Sequence, residues 1–130
     1  MATATLTIPP QPEQVRTARL VTTAAARRCG VSEDRIHEIR LAVGEVIARS
    51  VLRQQRAGLP DPVVVDITDD DELFTVRVQD ATSPEFSDED GGMALSVAEA
   101  LAFECDVLPA GSGCLIRLAW PLAGDGLELE

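Results

Sequence analysis

Asparagine, lysine and tyrosine are absent from the chain, and aromatic residues make up only 3% of it. Every positive charge is therefore an arginine, and any chemistry that relies on an asparagine ligand falls to another residue here or is not done. Positive charge is itself scarce: 11 arginines face 22 acidic residues, a formal charge of -11. So acidic a chain repels phosphate backbones and anionic lipid surfaces, which argues against nucleic-acid and membrane-surface partners. Cysteine is sparse, and Cys29, Cys105 and Cys114 form no CxxC pair. Neither a zinc site nor a disulfide framework is expected, and buried, reduced thiols are. No apolar run is long enough to cross a bilayer, and MATATLTIPPQPEQ at the start has neither the basic nor the apolar region of a signal peptide. A cytoplasmic protein is the expectation.

Enough apolar residues remain for a core. They make up 45% of 130 positions, which suits one globular domain without staples and is inconsistent with disorder. The expected domain is 1–130, with its core over about 5–122 and an acidic tail, AGDGLELE, at 123–130.

The run ATLTI (4–8) is short and β-rich and is ended by Pro9, Pro10 and Pro12, so an edge strand is expected. After Glu13, residues Val15, Ala18, Thr22, Ala25 and Cys29 recur at helical steps, and Gly30 stands where a C′ residue belongs. Ser32 is placed to cap a second helix, with Glu33 and Asp34 complementing its N-terminal dipole. The stripe of that helix runs Ile36, Ile39, Val43, Val46 with Ile47, then Ser50, and continues to about Gln55; Gly58, Pro60 and Pro62 close it. Next, VVVDIT (63–68) and LFTVRVQD (73–80) flank an acidic turn and read as a hairpin. No further ligands flank that turn at calcium-loop spacing, so it reads as solvated. A polar loop over 81–92 precedes a short helix over 93–102 and two last strands, 103–108 and 114–120. Helices grouped apart from adjacent strands predict a two-layer α/β sandwich, the helices on one face of a mixed, largely antiparallel sheet. Trp120 alternates with Cys114, Ile116 and Leu118 and is expected in the core, whereas His37, the only histidine, is expected at the surface.

Four stretches carry the functional signal: IRLAVGEVIARS (39–50), VRVQDATS (76–83), GGMALSVAEAL (91–101) and SGCLIRLAWPL (112–122). Their order and spacing resemble the nucleotide-binding boxes of the ATPase domain shared by gyrase, Hsp90-type chaperones and histidine kinases. Over most of its length the chain is most similar to the small branch of that group, the bacterial anti-sigma factor serine kinases. The two-layer architecture is also what this resemblance implies.

The resemblance assigns roles residue by residue. Glu45 stands where these ATPases carry the glutamate that orients or deprotonates the attacking group, a task suited to a carboxylate within hydrogen-bond reach. Arg49, one turn later, replaces the asparagine that holds magnesium on the phosphates. A guanidinium has only donors, and magnesium takes oxygen ligands. Arg49 can instead pair with Glu45 at i, i+4 or contact phosphate directly. Asp80 matches the aspartate that accepts a hydrogen bond from the adenine amino group. The glycine pattern that normally follows is replaced by Ala81, Thr82, Ser83 and Pro84, and Thr82 places a side chain where positive φ would be needed. Gly91 and Gly92 match the box that sets a helix N-terminus against phosphate, with Ala94 in place of its third glycine. Gly113 matches the glycine of a Gly-Thr pair, and Cys114 replaces the threonine with a weaker hydrogen-bonding group. Glu85, Asp88, Glu89 and Asp90 fall in the lid segment, where carboxylates repel a triphosphate. Arg16 and Arg19 match the start of the first helix, where an arginine of the anti-sigma kinases contributes to partner contact.

The cofactors the resemblance implies are ATP and magnesium. The substituted metal ligand, altered turn and acidic lid predict that ATP binding and kinase activity are reduced or lost, with no metal site. The implied function is then a regulatory, anti-sigma-like protein acting by protein binding. A sigma factor and an anti-anti-sigma protein are its implied partners, and a second copy is a further one, since relatives often dimerise. The alternative is a working kinase that passes the γ-phosphate of ATP to a serine of the antagonist, with Glu45 as base. A third reading is a regulatory domain that responds to another small ligand.

Overall fold

Residues Val63, Val65 and Ile67 alternate inward along β2 (Val63–Asp69), and Phe74, Val76 and Val78 do so along β3 (Leu73–Asp80). Burial at every second residue, by side chains that are mostly β-branched, is what a half-buried strand requires. Asp70 fixes the turn between them: its Oδ1 accepts the N–H groups of Glu72 and Leu73, both at 2.7 Å. These bonds hold the Asp70 carboxyl below the usual carboxylate range. A depressed folded-state pKa stabilises the turn above the unfolded value of about 3.9 and ceases to do so as pH falls through the folded value. Amide exchange at Glu72 and Leu73, corrected for intrinsic rates, is therefore expected to gain protection as pH rises from about 2 to 5. In Asp70→Ala that dependence should disappear.

The computed structural model describes residues 2–85 and 91–122. Five strands form one sheet in the order β1 (Ala2–Ile8), β2, β3, β5 (Gly113–Pro121), β4 (Glu104–Ala110). Among the described residues all four pairings are antiparallel, so the sheet there is antiparallel and not mixed. Strands β3 and β4 do run parallel, but β5 inserts between them and no parallel pair forms. Pairing with β2 extends β1 to Ala2, two residues earlier than its composition indicates. Pro109 lies within β4, which an edge strand tolerates.

Three helices cover one face: α1 (Glu13–Arg28), α2 (Glu33–Arg56) and α3 (Gly91–Leu101). Helix α2 packs between the other two and over the central strands. Gly30 has φ of 89°, the left-handed C′ conformation expected after α1. Ser32 does occupy the N-cap of α2 with extended backbone, but its hydroxyl makes no capping hydrogen bond. Helix α3 begins at Gly91, so both glycines lie inside it rather than in the preceding loop.

Ile36, Ile39, Val43, Val46 and Ile47 are fully buried against the sheet. Trp120 is buried with them, and its Nε1 donates to the Leu101 carbonyl at 3.1 Å. Ser50 follows the same stripe inward, and its hydroxyl is buried without a hydrogen-bond partner among the described residues. An unsatisfied buried hydroxyl costs about 1–3 kcal/mol. Ser50→Ala is thus expected to raise stability by about 1 kcal/mol in urea denaturation.

The other face of the sheet is polar: Thr5 donates to Asp66 at 2.7 Å, and Arg117 donates to Glu104 and Asp106 at 2.8 and 3.0 Å. All three cysteines are free; Cys114 is buried, but Cys29 and Cys105 are only half-buried. Burial pushes both of those thiols above the ordinary value. Among the described residues no helix is long and apolar enough to cross a membrane. The acidic tail, 123–130, lies outside the described residues.

Candidate functional site

Two consecutive residues of α2, Arg53 and Gln54, grip the chain where it leaves β3. Gln54 continues the stripe that starts at Ile36, since 18 residues make about five turns, and it is fully buried. Its Nε2 donates to the Asp61 carbonyl at 2.9 Å, and its Oε1 accepts the Ala81 N–H. Arg53, the residue before it, is 2% exposed. Its Nε donates to Thr82 Oγ1 at 2.9 Å and lies 3.7 Å from Asp80 Oδ2, while its Nη2 donates to the Ser83 carbonyl at 2.8 Å.

Asp80 and Thr82 are 3% and 1% exposed. Oδ1 of Asp80 accepts the Thr82 N–H at 2.9 Å and also the Thr82 hydroxyl. Thr82 therefore bridges carboxylate and guanidinium, donating to one and accepting from the other. Such charge-assisted bonds are the strong class, and in a buried setting they offset the desolvation of both ions. Both oxygens of Asp80 face groups of the protein itself.

No described residue other than glycine has positive φ, so Thr82 is not forced into the left-handed region that the glycine pattern implied. The turn takes another path, tied by Asp80 from below and by Arg53 and Gln54 from α2. Gly113 has a different constraint. A Cβ placed on it would lie 2.2 Å from the Asp80 carbonyl oxygen, because β5 presses against β3 where Asp80 pairs with Cys114. A glycine is required there by packing, whatever binds. The structure thus gathers Asp80, Thr82, Gly113 and the buried Cys114 at one end of the sheet.

The remaining candidates differ in burial. Glu45 is exposed and Arg49 is 8% exposed, so the i, i+4 spacing does not give the shared surface position expected for a solvated pair. Glu45 also lies two turns before Arg53, about 12 Å along the helix axis. Gly92 is exposed, with open space where a side-chain methyl would sit, and Ala94 is buried. Glu85 is exposed, whereas Asp88, Glu89 and Asp90 lie outside the described residues. On α1, Arg16 is exposed and Arg19 is half-buried, its Cδ 3.1 Å from the Cβ position of Gly44, which leaves room for it. Helix α2 stands between these arginines and α3. His37 is at the surface as expected.

Arg53 and Gln54 are not among the residues that sequence reasoning singles out. A signal is present: Gln54 falls four residues after Ser50 in the stripe, and Arg53 falls four after Arg49, on the side of α2 that carries the altered box.

Known proteins share the family and the fold of this chain. The family profile described as histidine kinase-like ATPase domain matches residues 8–120. No curated protein matches the chain. Among solved structures, the RsbU and RsbW domains of Rv1364c from Mycobacterium tuberculosis superpose with a TM-score of 0.74 at 19% identity, covering 92% of this chain and 32% of that one. This chain therefore spans about a third of that protein's chain, and at such identity the likeness establishes the fold.

Proposed function

The chain belongs to the histidine kinase-like ATPase domain family, and from that premise we propose that it is a cytoplasmic regulator of transcription that works by binding other proteins, with nucleotide binding and kinase chemistry reduced or lost. The observation that carries this reading is the closure of Asp80. An adenine amino group needs a carboxylate oxygen with room for one more donor. Here Oδ1 already takes two donors, and Oδ2, which the Arg53 guanidinium faces at 3.7 Å as an ion pair and not a hydrogen bond, belongs to a carboxylate only 3% exposed, so a further donor has no open approach. Displacing Arg53 would leave two buried ions to be solvated afresh, at a cost of several kcal/mol. Arg49 adds to the mismatch, since it offers donors where magnesium takes oxygen. The residues present do not fit ATP with magnesium.

What remains is a two-layer scaffold that presents one face of α1 to solvent. The resemblance to anti-sigma factor kinases supplies the partners: a sigma factor that is sequestered, and an anti-anti-sigma protein that releases it. Exposed Arg16, with Arg19 beside it, is the proposed contact. Biolayer interferometry against the sigma factors and candidate antagonists of the same genome tests this. Binding should be equal with and without ATP, and Arg16→Glu should weaken it about tenfold. ATP-dependent affinity, or a phosphorylated serine on the antagonist, would contradict the proposal. The second outcome would instead support the working kinase, a reading favoured by the exposed Glu45 and the Gly91-Gly92 start of α3.

A further inference from the structure

The two edges of the sheet differ in kind. β1 carries no charge from Ala2 to Ile8. From Glu104 to Val107 β4 is charged and apolar by turns, and Leu108, Pro109 and Ala110 follow without charge. Its register with β5 sets Cys105 opposite Leu118 and Val107 opposite Ile116, on the face that holds the core, and sets Glu104 and Asp106 opposite Ala119 and Arg117 on the other face. Phe103 leads into the strand with its N–H on the Ala119 carbonyl. On the helix-bearing side, Phe103 is 62% exposed and Val107 47%, both unusually open for apolar residues at a core boundary. On the polar side a single guanidinium, Arg117, serves the two carboxylates of Glu104 and Asp106, which leaves that strip net negative.

We propose that the β4 edge is a docking site for an extended protein segment that alternates apolar and basic residues. The main chain of such a segment would continue the sheet beyond β4, as in strand addition to an open edge. Because side chains alternate across a strand, every second residue would lie beside Cys105 and Val107 and should be apolar. The residues between them would lie beside Glu104 and Asp106 and should be basic. Pro109, which has no N–H, bounds the paired stretch at its far end. A second copy of this chain is disfavoured as the occupant, because it would bring carboxylates against carboxylates between molecules of charge -11. The site is independent of Asp80 and of α1, so it stands or falls separately from the proposed function.

Fluorescence anisotropy on the full chain tests the proposal, with a labelled Arg-Val-Arg-Val-Arg-Val peptide as the probe. Its control is a peptide of the same composition in blocks, Arg-Arg-Arg-Val-Val-Val. The alternating peptide is expected to bind at least about tenfold more tightly. The Glu104→Gln, Asp106→Asn double variant should weaken it about fivefold, in line with the loss of two exposed charge contacts. Amide exchange should slow on binding over 104–108 and not over 2–8. Equal affinity for the two peptides would reduce the effect to the chain's general acidity and overturn the proposal. So would binding untouched by the double variant, protection at β1 instead of β4, or no binding at about millimolar peptide.

Discussion

Arg53→Ala is expected to destabilise the fold by about 3–5 kcal/mol in chemical denaturation, because it strands a buried carboxylate. The substitution removes the cation from Asp80, the donor from Thr82 and the bond to the Ser83 carbonyl. All of these partners except Ser83 are buried or nearly so, and water cannot replace what is lost without opening the end of the sheet. Arg53→Lys should recover only part, since an ammonium cannot reach Thr82 and Ser83 from one planar group. Pairing Arg53→Met with Asp80→Leu should recover much more than either single change predicts, because removing both charges of a buried pair is often nearly neutral. A loss below about 1 kcal/mol for Arg53→Ala would mean that the pair is solvated and that Asp80 is open to a ligand.

Gly113→Ala is expected to cost about 3 kcal/mol in protein free of any nucleotide, at the upper end of ordinary overpacking. The clash is with the Asp80 carbonyl oxygen of the neighbouring strand, which cannot swing aside as a flexible side chain could. β3 and β5 would have to separate where Asp80 meets Cys114. Gly92→Ala is the informative contrast. Among the described residues nothing lies within 4 Å of its Cβ position, and alanine is the better helix former by about 1 kcal/mol, so stability should hold or rise. If Gly113 were instead a nucleotide contact with no packing duty, the free protein would tolerate alanine there as well as at Gly92.

The order of elements is legible in the sequence because each announces itself locally. The stripe from Ile36 to Ile47, the prolines after Ile8, the acidic turn before Leu73 and Gly30 after α1 need no knowledge of distant residues, and all of them mark structure where expected. Trp120 is likewise placed by alternation alone. The site is harder, because its contacts join residues 27 to 30 positions apart. Arg53 and Gln54 look like the polar end of an amphipathic helix until Asp80, Thr82 and Ala81 are brought beneath them. A buried glutamine at the polar end of the helix is not marked by hydrophobicity, yet Gln54 is as buried as the isoleucines before it. Thr82 looks strained only on the assumption of a glycine-type turn, and Gly113 looks like a ligand contact until the β3–β5 register reveals the close approach. The fully antiparallel sheet depends on β5 entering between β3 and β4, which no single segment encodes. Glu45 and Arg49 also differ in burial, because four residues turn a helix by about 400° and the remaining 40° carries one of them inward.

Calorimetric titration of the purified chain with ATP, with and without magnesium, addresses the closed aspartate most directly. With Asp80 engaged by Arg53 and Thr82, and Arg49 in place of an oxygen ligand, no saturable binding is expected up to about 1 mM ATP in either condition. Magnesium-dependent binding at about micromolar ATP would contradict it, and would show that Arg53 yields Asp80 to the base.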